Sequence, residues 1–184
     1  MWILIAIAAL VVAYVAWTYN AFVSLRNRAR NAWADIDVQL RRRYDLVPNL
    51  VATVKGYAAH ERIVFDDVAR LRTQAMGLQR PEDKAGPETQ LADTIKTLFA
   101  VAESYPQLRA DRNFRELQDQ LSEIEEQLQY ARRYYNAVVR DFDTKCEVFP
   151  SSLIASLFGF AHLPYFQAEQ EARAPVQVSM GGGP

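Results

Sequence analysis

No Lys, Arg, Asp or Glu occurs before Arg26, and no acid before Asp35. An uncharged opening of that length excludes an ordinary solvated surface helix, which needs a polar face. The single cysteine, Cys146, excludes an internal disulfide. With only two histidines, His60 and His162, it also excludes a zinc site built from Cys and His within one copy. There is no basic excess: 21 Lys and Arg stand against 22 Asp and Glu, which argues against nucleic acid as a partner. Glycine is scarce, seven in all with three at positions 181–183, so few points break the backbone and long elements are expected.

What fills the uncharged opening is apolar. Ile3 to Trp17 is nearly continuous Ile, Leu, Val and Ala. About 20 such residues at 1.5 Å rise cross the roughly 30 Å hydrocarbon core of a bilayer, where a lone segment must be helical to satisfy its own backbone. Trp2 at one end, and Trp17 and Tyr19 at the other, stand where aromatic belts meet the two interfaces. A cleaved signal would carry a basic start and a small-residue cut site, and neither is present. The expectation is an uncleaved anchor over 1–23, with membrane lipid as its partner. Arg26, Arg28 and Arg30 follow directly, and positive charge beside a span favours the cytoplasmic side. The simplest topology therefore puts the bundle in the cytoplasm, with the periplasmic side as the alternative.

The breakers locate the helices. Beyond the anchor, Phe22, Leu25, Ala29, Trp33, Ile36, Leu40, Tyr44 and Val47 recur at steps of three and four, on one face of a rod continuing out of the bilayer. Pro48 predicts a tight joint or kink over Tyr44 to Asn49, with Asp45 capping a new helix. That next helix is expected to run past Gly56 to a stop at Gly77. Gly77, Pro81, Gly86 and Pro87 among polar residues predict an exposed loop over 77–87. A shorter helix follows over about 88–104. From Phe114 to Phe142 the apolar residues alternate three and four without a miss, the 3.5-residue repeat of coiled-coil packing. A helix of this chain is the expected partner, with a second copy as the alternative. Phe149-Pro150 ends this helix. Ser151 to Phe166 is crowded with apolar side chains and has only His162 to titrate. It reads either as a helix and turn closing one end of the bundle or as a contact surface for membrane or another copy. The last residues, 167–184, read as a mobile tail.

Chemistry is poorly represented. His60-Glu61 lacks the second histidine a helical zinc protease needs, since position 64 is Val. Glu123, Glu125 and Glu126 lack the Glu-x-x-His partners of a di-iron bundle. No catalytic, cofactor or metal site is expected. Arg41, Arg42 and Arg43 form the one basic triplet. They read either as ion pairs with Asp37, Asp45 and acids on neighbouring helices, or as a partner-binding knob at a membrane-distal tip formed by the joint.

The run Arg41-Arg42-Arg43-Tyr44-Asp45-Leu46-Val47-Pro48-Asn49-Leu50-Val51, with Lys55-Gly56-Tyr57, resembles the signature of the LemA family of bacterial membrane-anchored proteins. Ala131-Arg132-Arg133-Tyr134-Tyr135-Asn136 with Phe149-Pro150, and Leu157-Phe158-Gly159-Phe160 with Tyr165-Phe166, are similar to its second and third signatures. Two positions depart from the pattern: Phe142-Asp143 stands for a second Tyr-Asn pair, and Gln167 for Glu. The resemblance implies an all-α protein, an N-terminal transmembrane helix continuing into an antiparallel bundle over 24–166, in the bacterial inner membrane. It brings no agreed activity. Some relatives act in forming internal membrane compartments and some are encoded near membrane proteases. The expected function is a self-associating structural protein of membrane organisation or envelope homeostasis. The alternative is a monomeric adaptor for a membrane protease or sensor.

Overall fold

A computed structural model describes residues 1–166; the expected tail at 167–184 lies outside them. Six helices follow in order: α1 Trp2–Lys55, α2 Arg62–Gly77, α3 Pro81–Glu103, α4 Pro106–Ala110, α5 Arg112–Glu147 and α6 Ser151–Phe158. Contacts fix their directions. Phe22 meets Phe142, Trp33 meets Tyr135, Arg43 meets Glu125 and Tyr57 meets Asp111, so α1 and α5 run antiparallel along most of their lengths. Lys84 meets Asp37 and Glu88 meets Arg43, so α3 runs with α1, whereas Arg72 of α2 reaches back to Tyr44. The result is an up-down-up-down bundle of α1, α2, α3 and α5, the arrangement short connections favour.

The predicted rod is present and longer than expected. α1 spans 54 residues, about 80 Å at helical rise. Its first 12 residues are exposed throughout, and it is long and apolar enough to cross a membrane. From Phe22 onward one face is buried through Ala29, Ala32, Ile36, Leu40, Val47, Leu50 and Val54. The seam of α5 covers it, with Phe114, Leu121, Ile124, Leu128, Tyr135, Val138 and Phe142 inside. The 3.5-residue repeat thus finds its partner within the chain. Asp111 caps α5 by accepting from the Phe114 N–H at 2.9 Å.

Three expectations fail. Of the joint or kink expected at Tyr44 to Asn49, the joint is absent: α1 passes through Pro48 and ends at Lys55. Proline withholds the N–H that would bond the Tyr44 carbonyl, and Arg72 Nε donates to that oxygen instead at 2.7 Å. Asp45 therefore sits inside a helix and caps nothing. The Leu50–Ala75 helix is also divided, because the chain turns over Gly56 to Glu61 before α2. The third failure is the loop over 77–87, which shrinks to Leu78–Arg80. Pro81 occupies the first turn of α3, a position that suits proline. Gly86 and Pro87 are helical because Lys84 and Glu88 fasten these turns to α1.

After α5, α6 folds across the base of the bundle. Ile154 and Ala155 pack on Phe22 and Phe142 in a second apolar cluster. Gly159 ends α6 at φ 69°, where a side chain is disfavoured, and the Phe160 N–H bonds the Ala155 carbonyl at 2.9 Å.

Candidate functional site

Three places gather the residues singled out in the sequence. The first lies mid-bundle, where α1, α3 and α5 meet. Arg43 and Tyr44 are buried, and both donate to the Glu88 carboxylate, itself fully buried. Arg43 Nη1 also donates to Glu125 at 3.1 Å. One turn away, Lys84 Nζ lies 2.9 Å from Asp37, which also takes Arg41 at 2.7 Å. Burial pushes the Glu88 carboxyl up, against the pull of Arg43, and pushes Arg132 nearby down. For Asp37, burial raises the carboxyl, but Lys84 and Arg41 outweigh it and hold it below its ordinary value. Every acid here faces a cation, so the cluster resembles an internal lock and not a reactive centre. A buried pair of this kind is costly to break by removing one member.

The cluster also corrects the knob reading. Arg43 and Tyr44 have no surface to offer, and Arg43 lies 12 residues, about 18 Å, before the end of α1. Arg41, Arg42, Asp45, Pro48 and Asn49 are exposed along the side of the rod, not at its tip. Glu88, Lys84 and Arg72 are the residues the sequence reading missed. A signal for two of them was present: Lys84, Glu88, Leu91, Ile95, Leu98 and Ala102 are spaced four, three, four, three, four, and all are buried. The apolar stripe of α3 simply begins with two charged residues.

The second place joins two family motifs. Asn136 donates to the Phe166 carbonyl at 3.0 Å and accepts its N–H at 2.9 Å, pairing with the backbone as a strand would. Tyr135 donates to the Pro164 carbonyl at 2.7 Å, and burial raises its phenol to about 12. Phe166 is buried against Trp33, and the Arg132 guanidinium lies over its ring, 4.9 Å from the centroid. Tyr134 is exposed beside this clamp. Asp143, at the position that departs from the family pattern, accepts from the Leu163 N–H at 3.2 Å and lies 3.2 Å from His162.

The third place is the base, where the uncharged opening of α1 enters the bundle. Tyr19 packs on Phe158 at 5.0 Å and Phe160 at 5.6 Å, and Arg26 sits 5.5 Å from the Phe160 ring. Lys145 lies over Trp17 and Phe22 at 5.3 and 5.6 Å. Trp2, Ile3 and Trp17 are exposed along α1, as are Arg28 and Arg30 further along the same helix. Phe149, before the cis Phe149–Pro150 bond, and Leu157 are each 75% exposed, and Tyr165 is at the margin of exposure. Among the described residues no group of three or more His, Cys, Asp or Glu is placed to hold a metal ion.

Comparison with known proteins gives this architecture its context. MamQ 2 and MamQ 1, magnetosome proteins of Paramagnetospirillum magneticum, are each 24% identical over 195 aligned residues, covering 90% of this chain and 72% of theirs. Protein LemA of Metamycoplasma hominis is 22% identical, covering 87% of this chain and 74% of its own. The LemA family profile matches residues 32–180, which takes in most of the bundle and all three signatures. The chain belongs to the LemA family.

Proposed function

We propose that this chain is a single-pass membrane protein without a catalytic step, whose copies associate in the plane of the bilayer and organise membrane or the proteins within it. The observation that carries this reading is α1: an exposed, uncharged opening that becomes, with no break, the central helix of a packed bundle. The internal pairing of Arg43, Lys84 and Glu88 supports a rigid support in preference to a reaction site. Relatives that carry the name magnetosome protein are in keeping with a part in building a cell structure. Confinement to a plane raises local concentration, so that weak contacts hold an assembly together. Arg26, Arg28 and Arg30 favour a cytoplasmic bundle.

The test is mass by multi-angle light scattering of full-length protein in mild detergent, paired with crosslinking in native membranes. A multimer crosslinked to itself is expected. A monomer crosslinked to a different membrane protein overturns self-association in favour of an adaptor.

A further inference from the structure

The uncharged opening of α1 overlaps the base of the bundle. Only Met1 to Ala13 are exposed without interruption, and Tyr14 and Val15 already pack against the base cluster. The uncharged run ends only before Arg26, so about 16 Å of it, from Tyr14 to Leu25, lies beside the base. If α1 spans over this uncharged run, the base of the bundle shares bilayer depth with its last apolar turns. The element beside those turns is α6. Phe158 borders an apolar groove with Val11, Val12 and Val15 of α1, well within the uncharged opening.

The surface α6 turns outward is suited to that depth. Phe149, Leu153 and Leu157 are spaced four apart and are 75%, 63% and 75% exposed. Ile154 and Ala155, on the opposite side, hold the helix to Phe22 and Phe142. No charged side chain lies between Glu147 and Glu169 except His162 when protonated. Cations stand immediately above: Lys145 over Trp17, Arg26 over Phe160, and Arg28, Arg30 and Arg140 exposed. Glu147 and Asp141 are the exposed acids nearby on α5. A short helix with an apolar outer stripe and cations at its upper edge matches the layering of acyl chain and phosphate at a bilayer surface.

The geometry points to α6 with Phe149 as a lipid-inserting foot, lying in the bilayer interface against α1, with the phospholipid acyl–headgroup boundary as its occupant. This rests on α1 crossing the membrane. The foot lengthens the contact between protein and lipid from a single helix to a wedge of two. It also fixes the rotation of the bundle about α1, because the foot lies against one side of that helix.

Depth-dependent quenching tests it on the full chain in phospholipid vesicles. In a Cys146→Ser background, single cysteines at Ala9→Cys, Leu157→Cys and Ser104→Cys receive an environment-sensitive fluorophore. Nitroxide-bearing acyl chains and aqueous iodide serve as quenchers. The label at 157 is expected to lose most of its emission to the nitroxide lipid and little to iodide. The label at 9 should do the same with a deeper nitroxide, and that at 104 the reverse. Lipid quenching at 9 with iodide quenching at 157 overturns the foot and leaves the anchor standing. A label at 157 shielded from both quenchers overturns it in favour of a second copy. Loss of lipid quenching at 9 overturns the anchor itself. Leu153→Cys, on the same stripe, repeats the measurement should labelling at 157 disturb α6.

Discussion

The segments Arg41–Asn49 and Phe149–Phe158 exchange the places their chemistry suggests. The first carries the basic triplet, yet Arg43 and Tyr44 are among the most buried residues of the protein. The second carries no charge, yet Phe149, Leu153 and Leu157 are among its most exposed. The contrast shows that polarity alone does not sort inside from outside in this bundle. Where three helices bring Glu88, Glu125 and Arg43 together, a charge is retained inside because its partners are there. Where the fold meets the uncharged start of α1, an apolar stripe stays outside, which the proposed foot explains by giving it lipid to face in place of water.

The largest effects should come from breaking the buried side of this contrast. Glu88→Ala leaves Arg43 with only the half-exposed Glu125, and Arg43→Ala leaves Glu88 buried without its cation. Each is expected to cost about 3–5 kcal/mol, seen as a large fall in the thermal midpoint of helicity in detergent. Arg41→Ala, at an exposed pair, should stay within about 0.5 kcal/mol. A normal midpoint for Arg43→Ala with loss of a partner complex would restore the knob and dissolve the contrast.

Arg72→Met should cost about 1–3 kcal/mol, since it strips the Tyr44 carbonyl of its donor. Pro48→Ala in that background supplies an N–H to the same oxygen and should recover part of the loss. Additive effects in the double-mutant cycle would show that Arg72 does not act through the proline. On the apolar side, Gly159→Ala meets no steric neighbour and should cost only the left-handed backbone conformation, about 1 kcal/mol. The expected readout is a midpoint lower by about 2–4 °C.

The regular parts of the fold were legible where one period persists. Phe114 to Phe142 held its spacing through eight steps, and the face from Phe22 to Val47 continued without a breaker, so α5 and most of α1 could be placed from sequence. The errors came from reading prolines and glycines locally. Pro48 looks like a joint until Arg72, 24 positions later, takes the orphaned carbonyl. Pro81, Gly86 and Pro87 look like a loop until Lys84 and Glu88 are placed on the face that Leu91 and Ile95 continue. The charged lock was half legible: pairing with acids on neighbouring helices was one of two readings of the triplet, but the identity of Glu88 depended on recognising the start of α3. The Asn136–Phe166 clamp joins two motifs 30 positions apart, a distance at which helical periodicity carries no information.

The unbroken course of α1 through Pro48 has a mechanical meaning. A post embedded in lipid and fixed to its load by a flexible elbow can lean without moving what it carries. Here the elbow is missing between the first turn and Gly56. With α1 crossing the bilayer as proposed, any inclination forced on its embedded end, by a change in bilayer thickness or by crowding, swings the far turn sideways by an amount that grows with the length of the rod.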